Sequence, residues 1–285
     1  MMARLADRIR AWPQFLLPQK LLTRCAHRIS NSRADWIRKP LIGWFARTYG
    51  VNLDEAESSR LDDYPSFDAF FTRALKPRAR PMPAGEHIPV SPCDGTVSQL
   101  GTINSGRILQ AKGIHYSPSG LLGSAELAEP FAGGRFLTIY LAPADYHRVH
   151  MPIGGRLLTE MRIPGRLFSV SEATTRVIPG LFTRNERMAA LFDTAHGPMA
   201  VVMVAALLVG GIETAWGDRT SRRPGTAMRR MDPGEAVVLP RGEEMGRFHW
   251  GSSVVLLTTA DFPVWSGALE PGGRIQLGTP LCRNG

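Results

Sequence analysis

Three places in the 285-residue sequence hold side chains suited to acid–base or nucleophilic chemistry. Asp94 stands in Ser91-Pro92-Cys93-Asp94-Gly95, His147 and His150 stand three apart in Asp145-Tyr146-His147-Arg148-Val149-His150, and Ser252 stands in Trp250-Gly251-Ser252-Ser253. In chain order Asp94, His150 and Ser252 supply an acid, a base and a nucleophile, the order found in subtilisin. On residue types alone a serine hydrolase is an open reading. Plainer readings stand beside it: an Asp-Gly pair most often marks a turn, because Asp bonds its own backbone and Gly accepts positive φ, and two histidines are often ordinary surface or core residues. A metal reading lacks an HExxH, a cysteine pair and a dense carboxylate cluster, so no metal is predicted.

An ordinary α/β-hydrolase needs GxSxG to expose its serine on a strained elbow, and the chain has none. Ser252 instead precedes Ser253-Val254-Val255-Leu256-Leu257, which reads as the start of a buried strand.

The elements that must position these residues fall into two regions. Of the formal net charge of +9, residues 1–50 carry +8, from ten cations against Asp7 and Asp35. A near-neutral body with a basic leader does not resemble a phosphate-tracking groove, and no nucleic-acid partner is predicted. Leu5, Ile9, Trp12 and Leu16 recur at helical spacing, as do Ile37, Leu41, Trp44 and Phe45, with Arg and Lys between them. That pattern fits helices lying on an anionic membrane surface, or equally helices packed on the protein's own core. The run 199–211 is too short to span a bilayer and reads as a buried strand or strand pair. Pro13, Pro18, Gln19 and Lys20 interrupt the leucine-rich part of the leader and argue against a secretory signal. Three scattered cysteines, Cys25, Cys93 and Cys282, suggest no disulfide framework.

From Tyr64 a short helix capped by Ser66 is expected, then a proline-rich connector to Pro89. Apolar runs at 136–141, 200–208, 236–239 and 254–258, separated by Gly, Pro and Asp, predict strands. The expected fold is α+β: N-terminal amphipathic helices in a membrane-association segment, 1–62, followed by a β-rich catalytic body, 63–285.

Longer motifs point further. Tyr64-Pro65-Ser66-Phe67 with Phe70-Phe71-Thr72-Arg73, Asp94-Gly95 with Gln99-Leu100-Gly101, Leu109-Gln110-Ala111-Lys112-Gly113, the stretch 145–152, LFTRNER at 181–187, and Glu244-Met245-Gly246-Arg247-Phe248 before Gly251-Ser252 occur in order along nearly the whole chain. On these residues the sequence resembles the membrane-associated, bacterial-type phosphatidylserine decarboxylase family in its precursor form. Two departures stand out: the family's usual Gly-Ser-Thr is Gly251-Ser252-Ser253, which keeps a hydroxyl at the third place, and Cys93 replaces a small alanine before Asp94.

The resemblance implies that the chain cleaves itself between Gly251 and Ser252, giving chains 1–251 and 252–285, the second of 34 residues. Ser252 would attack the Gly251 carbonyl, with His150 as base and Asp94 orienting it. Residue 252 would end as a covalent pyruvoyl cofactor that forms a Schiff base with phosphatidylserine and decarboxylates it to phosphatidylethanolamine. His147 is assigned to the decarboxylation stage. A homodimer and a peripheral place on the cytoplasmic face of the cell membrane are further implications. Lys112, Arg184 and Arg187 lie in family-like motifs but stay outside the catalytic set, since isolated loop cations are usually only solvated.

Overall fold

The structure, a computed structural model, describes residues 2–207, 211–217, 225–232, 236–249 and 251–282. The Leu5 side chain, Trp250 and residues 208–210 of the 199–211 run lie outside the described residues.

The leader forms α1 (Met2–Ala11), α2 (Pro13–Leu16), α3 (Gln19–Ser30) and α4 (Asp35–Tyr49). Pro13 opens α2, where its missing N–H costs no helical bond. Gly50 closes α4 at φ 64°, the left-handed conformation that glycine adopts without strain. Polar side chains dock α1 to α3 on the body: Asp7 pairs with Arg176 at 2.9 Å, and Gln14 and Gln19 accept from the Ser169 and Leu167 backbone N–H groups at 2.8 and 2.9 Å.

The stripe read as Ile37, Leu41, Trp44 and Phe45 divides in the structure. Ile42 and Phe45 are buried against α5 (Phe67–Phe71), while Trp44 remains exposed. Phe45 meets Phe67 edge-on at 5.0 Å and Phe71 at 5.9 Å, an arrangement favoured by the ring quadrupoles. One face of α4 therefore belongs to a core that crosses position 62. The expected Ser66 cap is present, its Oγ accepting from Ala69 N at 3.2 Å.

The body contains β1 (Gly95–Thr102), β2 (Ile108–Ala111), β3 (Ile114–Tyr116), β4 (Arg135–Leu141), β5 (Arg148–His150), β6 (Gly155–Ile163) and β7 (Arg187–Thr194). It continues with β8 (Gly197–Ala205), β9 (Ile212–Thr214), β10 (Ala227–Arg230), β11 (Val238–Leu239), β12 (Glu244–Phe248), β13 (Ser252–Thr258) and β14 (Arg274–Ile275). Among the described residues nine strands form an antiparallel sheet ordered β10-β6-β7-β8-β13-β4-β1-β14, with β11 also on β6, and β5-β12-β9 form a smaller sheet. The α+β expectation holds.

Two local readings are resolved. Of the strand or strand pair expected over 199–211, the structure has one buried strand, β8, as far as Ala205. Asp94-Gly95 is the head of β1 rather than a positive-φ turn: a Cβ on Gly95 would lie 2.4 Å from the Tyr140 carbonyl oxygen, so the glycine is needed for close approach to β4.

Candidate active site

β12 lies in the small sheet, pairing Glu244 with His150 on β5 and Phe248 with Ile212 on β9. After three intervening residues the chain enters the middle of the large sheet as β13, where Ser252 lies opposite Leu141 of β4 and Ala205 of β8. The Gly251–Ser252 bond therefore sits where the chain crosses from one sheet to the other. All of β13 is buried, as its unbroken apolar run predicts.

Ser252 Oγ is fully buried without a hydrogen-bond partner, and Ser253 Oγ shares that condition. Gly251 borders an apolar cavity of about 220 Å³ whose wall includes Phe45 and Tyr49 of α4, Phe71 of α5, and Tyr140 and Pro143. A Cβ on Gly251 would meet nothing within 4 Å among the described residues, so packing against them does not require glycine there.

His147 is also fully buried, stacked on Phe71 with ring centroids 4.0 Å apart, and neither ring nitrogen makes a hydrogen bond. Burial, reinforced by the Arg73 charge, pushes its pKa down to about 3, while the nearby Pro143 and Ala142 carbonyls offset part of that. The ring is neutral at physiological pH. Arg73 is itself buried and held by the Ala144 and Asp145 carbonyls, with Nε and Nη1 unpartnered.

His150 is fully engaged. Its Nδ1 lies 2.8 Å from the Gly242 carbonyl and its Nε2 2.9 Å from the Tyr146 hydroxyl. A carbonyl only accepts, so Nδ1 carries the proton and Nε2 accepts from Tyr146. Burial lowers the pKa of His150, partly offset by the Gly242 carbonyl. The result is a neutral imidazole whose Nε2 lone pair is the basic atom.

Asp94 makes no hydrogen bond to His150 in this arrangement. Arg80 grips its carboxylate through Nε at 2.9 and 3.1 Å and Nη2 at 2.5 Å, and Leu277 N donates to it at 2.9 Å. Arg80 also pairs with Glu55 at 2.8 Å, and these bonds raise the Arg80 pKa. Asp94 still acts on His150 at a distance, its charge favouring the protonated ring. The Gly242 carbonyl thus fixes the tautomer in this arrangement.

One of the five histidines left aside in the sequence lies beside the Gly251–Ser252 pair. His249, two residues before Gly251, is buried between two carboxylates, with Nδ1 2.9 and 3.1 Å from Asp68 and Nε2 3.0 Å from Glu213. Its closeness to the Gly-Ser pair was the available signal, but its partners lie 181 and 36 positions away. Arg187 is accounted for structurally: it is buried and donates to the carbonyls of Leu121, Thr183, Asn185 and Gly120. Arg184 lies over the rings of Phe15 and Phe168.

A family model described as phosphatidylserine decarboxylase matches residues 67–283, and a second, described as PSD, matches residues 9–50. A phosphatidylserine decarboxylase proenzyme of Halorhodospira halophila is 47% identical over 278 residues, covering 98% of this chain and 94% of that protein. Proenzymes of the same description from Pseudomonas entomophila and Nitrosococcus oceani are each 46% identical, over 94% and 98% of this chain and 95% and 92% of their own lengths. With the body and the leader both matched, and nearly half of the residues identical along almost the whole length, the chain belongs to the phosphatidylserine decarboxylase family.

Proposed function

We propose that the chain matures by breaking its own backbone between Gly251 and Ser252, and that the pyruvoyl group left on residue 252 serves the decarboxylation of phosphatidylserine to phosphatidylethanolamine. The observation that carries this reading is the fully buried, unpartnered Ser252 Oγ, joined to a glycine that packing does not require. A buried hydroxyl without a partner costs about 1–3 kcal/mol. Such a cost is expected where local structure serves a reaction.

In the first step Ser252 Oγ bonds to the Gly251 carbonyl carbon, the peptide C–N bond breaks, and the hydroxyl proton passes through His150 to the freed amine. His150 Nε2, the atom with the lone pair, is the base. The Asp94 carboxylate favours the imidazolium through its charge, while Gly242 orients the ring. Attacker and target are neighbours in one folded chain, so their positioning entropy is already met on folding. In the second step a proton leaves Cα of residue 252, the Cβ–O bond breaks and the Gly251 carboxylate departs. Water then releases ammonia.

The pyruvoyl carbonyl supplies an electron sink for the pair left when CO₂ departs. His147, neutral and desolvated, holds or returns the proton at the substrate carbon, and the Phe71 stack fixes its plane. The apolar cavity bordered by Phe45, Tyr49 and Phe71 keeps water from the reacting bond and suits lipid.

The segment 1–62 serves as the membrane-association part and 63–285 as the catalytic domain, with the chain peripheral on the cytoplasmic face of an anionic membrane. Supporting this, no helix among the described residues is long and apolar enough to cross a bilayer, while the leader exposes Ile9, Trp12, Leu16 and Trp36. A homodimer remains part of the proposal on family grounds.

Intact-protein mass spectrometry tests the central claim. Two chains are expected, the 34-residue one blocked at its N-terminus and reactive with hydroxylamine, and Ser252→Ala abolishes both features. Active protein consisting solely of an uncut 31.3 kDa chain would overturn it in favour of an unprocessed hydrolase.

A further inference from the structure

The peptide to be cleaved is held firmly on one side only by backbone pairing. Ser252 is fixed by its register between β4 and β8. On the other side Gly251 offers no side chain, and none of the described residues lies within 4 Å of where its Cβ would be. The nearest described side-chain anchor upstream is His249.

That anchor is a two-sided bridge. Nδ1 and Nε2 each lie within hydrogen-bond distance of a carboxylate oxygen, on Asp68 and on Glu213, so the buried ring is fixed from both edges. Arg247 adds a positive charge 4.0 Å from Glu213 on its outer side. The backbone is pinned as well, with His249 N donating to Gly211 O at 3.2 Å and Phe248 N to His147 O at 3.0 Å.

The two carboxylates come from different elements. Asp68 belongs to α5, which also places Phe71 against His147, and Glu213 belongs to β9, the partner of β12. The bridge therefore ties the residue before Trp250 to the helix that orients His147 and to the sheet that carries His150.

We infer that His249, clamped between Asp68 and Glu213, is a positioning residue for self-cleavage: it holds the upstream flank so that the Gly251 carbonyl faces Ser252 Oγ. This rests on the self-cleavage reading above. Displacement of about 1 Å from the attack geometry lowers such rates by as much as about 100-fold, which gives the clamp its leverage.

The test follows the appearance of the 34-residue chain after a pulse of synthesis of the full-length precursor, by intact-mass spectrometry, in wild type and in His249→Gln, His249→Lys and Asp68→Asn. His249→Gln removes the ring that spans the two carboxylates and is expected to slow cleavage by about tenfold or more. His249→Lys restores a hydrogen-bond donor between the carboxylates and is expected to recover to within about threefold of wild type. Asp68→Asn, which preserves size, falls between them. In every variant, turnover per pyruvoyl group in the matured fraction stays at the wild-type level, and hydroxylamine does not hasten cleavage, because the ester has not formed. Wild-type cleavage rates in His249→Gln and Asp68→Asn would overturn the inference. So would turnover per pyruvoyl falling in step with cleavage, or slowing that follows the unfolding midpoint and is no better in His249→Lys. Failure of the wild type itself to cleave would sink the self-cleavage reading, a separate outcome that removes this one with it.

Discussion

Helices α1 to α4 turn apolar side chains toward water, whereas the surroundings of β13 bury polar atoms without hydrogen-bond partners. Eleven of the fourteen large apolar side chains exposed among the described residues lie in the first 49 positions, including Leu16 at 89% and Trp36 at 80%. In the body, His147, Ser252 and Ser253 are sealed from solvent with unpartnered nitrogens or hydroxyls. Both conditions cost free energy, in one region through hydrated apolar area and in the other through lost hydrogen bonds. Under the proposed function each cost has a counterpart: a lipid surface for the leader, and a peptide bond and then a head group for the body. Aromatic residues of α4 and α5 join the two regions beside the cavity at Gly251.

Breaking the body's side of the contrast has the largest expected effect. His147→Gln lowers turnover per pyruvoyl group by about 10²- to 10⁴-fold, the range for loss of a proton-transfer group, while cleavage at Gly251 stays within about threefold. Equal loss of cleavage and turnover would refute the division of labour between the two histidines. The same residue sets an acid limit. His147 has a folded-state pKa of about 3 against an ordinary 6.5, so between those values the unfolded chain binds a proton that the folded chain refuses. Stability therefore falls as pH drops below about 6.5, by about 2 kcal/mol at pH 5 from this group alone. His147→Phe, which retains a ring against Phe71, removes that increment. Denaturant unfolding of both proteins from pH 7 to pH 4.5 measures it, and a difference that does not change with pH would contradict the buried neutral ring.

The leader's side is tested next. Replacing Trp12, Leu16 and Trp36 together by Ser removes exposed apolar area from α4 and from the α1–α2 region, and is expected to weaken binding to anionic vesicles by about 10- to 100-fold. Added salt weakens what binding remains. Turnover on a detergent-dispersed short-chain substrate stays within about twofold, because these side chains do not border the cavity at Gly251. Vesicle co-sedimentation reads the first quantity, and unchanged sedimentation would move the membrane contact elsewhere.

What the sequence disclosed follows how far each interaction reaches along the chain. The Ser66 cap spans three residues, and the β13 core is one apolar run, so both were legible. β6 was not, because Glu160 and Arg162 interrupt its apolar pattern; in the fold they pair with each other, and the Trp216 N–H donates to Glu160. The family motifs led to Asp94, but nothing in them marked Arg80, fourteen positions earlier in a proline-rich connector without periodicity, as the holder of its carboxylate. Gly242 was hidden for a different reason: it orients His150 through a backbone carbonyl, a group every residue carries. The clamp on His249 needs α5 and β9 brought together, which only the fold supplies.

The smallest expected change in stability comes from Gly251→Ala, and it separates chemistry from packing. At Gly95 a methyl would strike the Tyr140 carbonyl, so Gly95→Ala is expected to lose about 1–3 kcal/mol. At Gly251 the methyl would meet none of the described residues within 4 Å, and the residue does not adopt positive φ, so the unfolding free energy shifts by less than about 0.5 kcal/mol. Cleavage slows nonetheless, by about three- to tenfold, because the methyl sits beside the carbonyl that Ser252 Oγ must approach. Parallel unfolding curves and cleavage time courses of the two variants decide the matter. If Gly251→Ala lost stability as Gly95→Ala does, the glycine would be there for packing, and the strongest link between the fold and the proposed break in the chain would go.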